Sequence, residues 1–329
     1  MKTPWDMYMK VGIVHPMAFP ETLRQEGPVF ETIRRIAEDE FFGAIDIVGA
    51  KDEKVRKEVG VLLKYSRLQV NFAAQSVLLP LKGDLNAEDP EARKRAIQIV
   101  KECIDHAVDL NASSLSILSG YDPGPNKREK AMELLIDSIK QICYYAREKA
   151  GIPVALKIFD REIEKKSLIG PVDEAKKLAE AIRQDYPDFG LIHDLSHLPL
   201  LGEDPAKVLP VIKDYLVAMH MGNCVLDKSS PLYGDQHPLF GVPGGVNDVE
   251  ELRNYLKTLF EIGFLRGKVR RFVGFEIKPH AGVTSEMVIA NAKRTLTEAW
   301  AGLEISQLCV FTEEKENLIN IAQQISKEQ

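Results

Sequence analysis

A strict alternation of β-rich runs and helical patterns, eight of each, constrains this chain more than any other feature. Runs rich in β-branched and aromatic residues fall at 11–19, 44–50, 68–79, 113–120, 153–160, 189–197, 215–224 and 272–279. Helical spacing of apolar residues fills the intervals, at 29–40, 53–65, 91–110, 128–149, 172–186, 206–216, 249–264 and 285–303. The third of these helices is the clearest: after an Asp-Pro start, Ile97, Val100, Ile104, Ala107 and Val108 recur at helical spacing. Consecutive strands separated by helices pair in parallel, because a parallel connection needs a crossover. Eight such units predict a single α/β domain closed into a (β/α)8 barrel, covering about residues 11–303 of the 329. An open doubly wound sheet is the alternative. Its dinucleotide-binding form needs a glycine-rich first turn, and His15-Pro16-Met17 stands there instead.

No low-complexity linker or short-period repeat divides the chain, so residues 1–329 read as one domain with a helical extension at 304–329. The formal charge of -6 does not predict a nucleic-acid partner, which needs clustered Lys and Arg. The one compact basic run, Lys268, Arg270 and Arg271, precedes the eighth strand, where the structural end of a barrel lies. Cys103, Cys143, Cys224 and Cys309 are scattered, without metal-ligand spacing. The N-terminus has no apolar signal core, and no stretch is apolar enough to span a membrane. These features predict a cytoplasmic protein with no membrane partner; no oligomer interface is legible, although barrels of this kind often pair through their helices.

In such barrels the active face lies at the carboxyl ends of the strands. There the sixth run ends Asp194-Leu195-Ser196-His197, the seventh carries His220-Met221-Gly222-Asn223, and the eighth carries Glu276-Ile277-Lys278. Asp194, His220 and Glu276, one from each consecutive strand, can converge on one point. Two carboxylates and an imidazole suit a divalent cation, Mn2+, Zn2+, Co2+ or Mg2+. Each also has a structural explanation, as a helix cap, a satisfied core histidine and half of a buried ion pair. The long irregular stretch 224–246 places Asp235 and His237 two residues apart, on one side of an extended segment.

The order DLSH (194–197), HMGN (220–223), GDQH (234–237) and FEIKP (275–279) resembles the xylose isomerase-like TIM-barrel superfamily, across essentially the whole barrel. That superfamily holds sugar isomerases, ketose 3-epimerases, inosose dehydratases and the endonuclease IV group. The resemblance implies a metal held by Asp194, His220 and Glu276, with His197 contacting substrate. In the endonuclease branch the Asp-x-His pair, here Asp235 and His237, would bind further zinc. At the fifth strand this sequence departs from the pattern: Lys157 stands where a Glu ligand and base is usual, and Asp160 could replace it only by a shift along the strand. Lys157 could act as a neutral base, replace the metal's charge, or mark a member without activity.

The resemblance implies metal-assisted proton transfer next to a carbonyl on a small polyol, sugar or sugar acid, by an isomerase, epimerase or dehydratase. Catalytic roles fall on Glu276, Lys157 and His197, and substrate contacts on His197, Asp235, His237, Lys278 and Arg161. Two rivals stand beside it. A metal-dependent phosphodiesterase of the endonuclease IV type would use Asp235 and His237, but the strand-three histidine of that group is absent, with Asn71-Phe72-Ala73-Ala74-Gln75 in its place. The other is a non-catalytic sugar-binding barrel.

Overall fold

The computed structural model describes residues 1, 3–280 and 282–304. All eight strands are present: β1 (Met9–Ile13), β2 (Ala44–Ile47), β3 (Gln69–Ala73), β4 (Ser114–Ile117), β5 (Val154–Lys157), β6 (Gly190–Asp194), β7 (Leu216–Met221) and β8 (Arg271–Phe275). They form one parallel sheet in the order β1-β8-β7-β6-β5-β4-β3-β2. Its two ends meet through a parallel bridge between Val14 and Asp46 and a hydrogen bond from the Gly43 amide to the Val11 carbonyl at 2.8 Å. The result is a nearly closed (β/α)8 barrel, as the alternation predicts.

The strands are shorter than their apolar runs because several of those runs continue into short helices on the active face. β1 gives way to His15–Ala18, where Pro16 suits a first helical turn, β3 to Gln75–Leu78, and β6 to His197–Leu201. These turns are largely buried, with Ala18, Leu78 and Leu198 among the core residues. Apolar patterning therefore cannot separate them from strand.

Inside the barrel, side chains two residues apart on a strand form successive layers. The lower layer is Ala44, Ala155, Ile192, Ala218 and Phe272, a small apolar cluster of its own. Phe272 fills the space left by the alanines. A Cβ at Gly12 would lie 2.0 Å from its ring, so glycine is required on the neighbouring strand. Two residues further along β2, β5, β6 and β7 come Asp46, Lys157, Asp194 and His220, all buried. One strand repeat thus converts an apolar plug into a layer of charge. That layer is the floor of the active face.

Helices cover the outside, and the largest apolar cluster lies between them and the sheet. The helix Pro90–Asp109 begins where the Asp-Pro pair predicts: Asp89 accepts hydrogen bonds from the amides of Glu91 and Ala92. Its residues Ile97, Val100, Ile104 and Ala107 are buried, but Val108 is exposed, because one further residue turns the helix about 100° away from the sheet. Among the described residues no helix is long and apolar enough to cross a membrane. Arg270 and Arg271 lie at the amino end of β8, on backbone carbonyls of Asp6 and Leu216. Cys103, Cys143 and Cys224 are buried free thiols. The expected helical extension at 304–329, apart from Glu304, and Cys309 lie outside the described residues.

Candidate active site

Lys157 ends β5 and is 1% exposed. Its Nζ makes an ion pair with Glu276 Oε2 and lies 3.2 Å from Asp194 Oδ2. It also sits 4.8 Å from the centre of the Phe159 ring. Burial alone favours the neutral amine, but the Glu276 and Asp194 carboxylates outweigh it and hold the lysine above its ordinary range. Lys157 is therefore a cation.

His220 links two carboxylates. Its Nδ1 is 2.8 Å from Glu276 Oε2, and its Nε2 is 2.9 Å from Asp46 Oδ2. Burial and the neighbouring ammonium oppose its protonation, but the Asp46 and Glu276 carboxylates against its two ring nitrogens prevail and raise its pKa to about 9. Glu276, which follows β8, is pressed toward protonation by burial. Lys157, His237 and His220 more than reverse this and keep it ionised well below the usual carboxylate range. Asp194 turns the chain after β6: its Oδ1 accepts from the Ser196 amide at 2.9 Å and the Ser196 hydroxyl at 2.7 Å.

Beside this centre, two basic side chains stand against Asp235. Lys165 Nζ lies 2.6 Å from Oδ2 and His237 Nε2 lies 2.7 Å from Oδ1. Burial would raise the Asp235 pKa, but His197, His237 and Lys165 bring it far below the usual range. His237 Nδ1 is 3.1 Å from the backbone carbonyl of Glu276, and its backbone has φ 48°, a left-handed conformation uncommon for histidine. His197 starts the short helix after β6, packed edge-on against Phe159 and His237. Among the described residues neither of its ring nitrogens has a hydrogen-bond partner, and burial lowers its pKa to about 4.

A cavity of about 180 Å³ opens over these groups, and its lining includes Phe159, Lys165, Asp235, His237, Glu276 and Lys278. The sequence-derived set thus divides. Asp194, Lys157, His220 and Glu276 meet in one buried cluster, while Asp235, His237 and His197 form a second beside it. Lys278 reaches the cavity wall. Arg161 does not: it is taken up by Glu174, the Leu168 carbonyl and Asp122. Asp160 accepts from the amides of Ile163, Glu164 and Lys165, and so shapes the loop that delivers Lys165. Asp46 and Lys165 are the side chains of these two clusters that sequence reasoning overlooked. An acid in the otherwise apolar Ala-Ile-Asp-Ile strand is a signal for the first; nothing local marks the second.

Among the described residues, three groups bring potential ligand atoms within 4.8 Å of one another: Asp194–His220–Glu276, Asp194–His197–His237 and Asp160–His197–Asp235. The first does not fit a divalent ion as it stands, because the Lys157 ammonium lies between its carboxylates. The second fits better by donor chemistry, since both His197 nitrogens are buried without a hydrogen-bond partner among the described residues, while Lys157 pairs with only one of its three members, Asp194.

No curated protein matches this chain by sequence. Solved structures do match its fold. A D-tagatose 3-epimerase-like protein superposes with a TM-score of 0.66 at 17% identity, covering 89% of this chain and 97% of that one. The IolI protein with a bound zinc atom gives 0.63 at 14%, covering 91% and 100%. A family 2 AP endonuclease from Brucella melitensis gives 0.62 at 18%, covering 87% and 98%. The family model described as xylose isomerase-like TIM barrel matches residues 34–265, and this chain belongs to that family.

Proposed function

We propose that this chain is a sugar or sugar-phosphate isomerase or epimerase-like enzyme that moves a proton next to a carbonyl on a small polyol, sugar or sugar acid. The observation that carries the reading is the division of labour on Glu276. Its Oε2 is fixed by Lys157 and His220, while its Oε1 stands 3.6 Å from His237 Nε2 on the cavity wall. The free oxygen takes the proton from the α-carbon. His237, whose pKa Asp235 and Glu276 raise against burial, donates to the developing oxyanion. Lys165 and Lys278, on the same wall, bind the substrate's hydroxyls or an anionic end.

The residues that would hold a divalent ion are Asp194, His197 and His237, and a metal there would supply Lewis-acid polarisation of a substrate oxygen in place of proton donation by His237. Similarity to a D-tagatose 3-epimerase-like protein supports the substrate class.

The test is solvent exchange. A panel of ketoses, aldoses, inososes and sugar acids is incubated in D2O with and without Mn2+, and deuterium at the carbon next to the carbonyl is followed by NMR. Incorporation that disappears in Glu276→Gln supports the proposal. Tight binding of a sugar with no exchange or turnover would replace it with a non-catalytic binding role.

A further inference from the structure

The Asp194–His220–Glu276 junction has the parts of a metal centre and a cation already in it. A metal bound to Asp194 Oδ2, Glu276 Oε2 and His220 Nδ1 would lie about 2.0–2.2 Å from each. Lys157 Nζ contacts two of those three atoms, Glu276 Oε2 in an ion pair and Asp194 Oδ2 at 3.2 Å. Ammonium and metal cannot share that volume, and their like charges repel. A carboxylate already stands behind the imidazole. Asp46 Oδ2 stands 2.9 Å behind His220 Nε2, where a carboxylate orients a metal-bound imidazole, and Asn71 Nδ2 donates to Asp46 Oδ1 at 2.7 Å. The layer together with Glu276 holds three carboxylates, Asp46, Asp194 and Glu276, against the cations Lys157 and His220. Removing the ammonium therefore leaves a strongly anionic, preoriented ligand set.

We propose that Lys157 Nζ is the resident cation of this junction, a positioning residue that clamps Glu276 and Asp194 in place of a divalent ion. The junction binds no metal while Lys157 is present, and one substitution converts it into a metal site. This inference concerns ion occupancy and does not rest on turnover.

The experiment is Co2+ titration of the chelator-treated full chain, read by bound metal per chain and by visible absorption of the ion. Wild type and His220→Ala should titrate alike, including any ion held by Asp194, His197 and His237. Lys157→Glu should take up about one further equivalent, which the Lys157→Glu/His220→Ala double variant loses. Lys157→Gln, which adds no buried negative charge, should show the same gain more weakly and keeps the test valid if Lys157→Glu does not fold. The proposal is overturned if wild type binds an equivalent that His220→Ala abolishes. It is equally overturned if both folded Lys157 variants bind no more Co2+ than wild type. Absence of sugar turnover would sink the functional reading above and leave the metal result intact.

Discussion

Lys157 and Glu276 come from strand ends 119 residues apart in sequence and form a buried ion pair at the centre of the barrel's active face. Both charges are buried, so removing Lys157 leaves the Glu276 and Asp194 carboxylates short of a cation. Lys157→Met should destabilise the protein by about 3–5 kcal/mol in urea unfolding at pH 7. The Lys157→Met/Glu276→Gln double variant should recover a substantial part of that loss, because it removes the stranded carboxylate as well. Simple additivity of the two single losses would show that the pair is not coupled as described.

Glu276→Gln keeps the shape of the side chain and removes its basicity. If Glu276 Oε1 transfers the proton, kcat should fall by about 10²–10⁴ with a much smaller change in KM. Loss of substrate affinity with kcat retained would assign Glu276 to binding only.

The alkaline side of the stability profile follows from His220. Its pKa in the folded protein, about 9, lies above the unfolded value of 6.5. Its contribution is thus complete below pH 6.5 and is lost as pH rises through about 9, at up to roughly 1.4 kcal/mol per pH unit. Urea midpoints measured from pH 6 to 10 should fall more steeply for wild type than for His220→Gln. Parallel curves would remove His220 from the account.

Much of this architecture is legible in the sequence. Eight apolar runs with helices between them fix the barrel, and Asp194, His220 and Glu276 fall at consecutive strand ends and do meet. The limits of that reading are physical. The short helices after β1, β3 and β6 are buried on the active face, so their apolar pattern resembles strand. Asp46 sits on β2, far in sequence from His220, and only closure between β1 and β2 brings the two together. Lys165 depends on the loop that Asp160 folds, and neither spacing nor composition encodes that.

On the acid side, His15 provides a separate prediction. Its Nε2 is 2.8 Å from Thr32 Oγ1, which itself donates to the Pro28 carbonyl at 2.7 Å. Nε2 therefore carries the proton, and the buried Nδ1 has no partner. Burial lowers the His15 pKa from 6.5 to about 3. The unfolded chain consequently binds the extra proton between those values, and stability present above pH 6.5 is lost as pH falls toward 3. Wild type should lose stability faster than His15→Gln over pH 6.5 to 4, as read by thermal melting. An equal slope in the two proteins would mean that His15 is protonated in the fold.

Arg161 and Lys278 separate two uses of a cation on this face. Arg161 is buried in contacts with Glu174, Asp122 and the Leu168 carbonyl, which tie the loop after β5 to the following helix Val172–Arg183. Lys278 is half-buried and lines the cavity. Arg161→Ala should thus lower stability by about 1.5–3 kcal/mol, the scale of hydrogen bonds to charged groups, while the KM of the folded enzyme changes little. Lys278→Ala should do the reverse, raising KM for anionic substrates with stability within about 0.5 kcal/mol of wild type. The sharpest check is a phosphorylated sugar compared with its neutral parent, because a lysine that reads an anionic group discriminates between them and a structural arginine does not. A KM for the phosphorylated sugar that rises in Arg161→Ala and stays fixed in Lys278→Ala would reverse the two assignments.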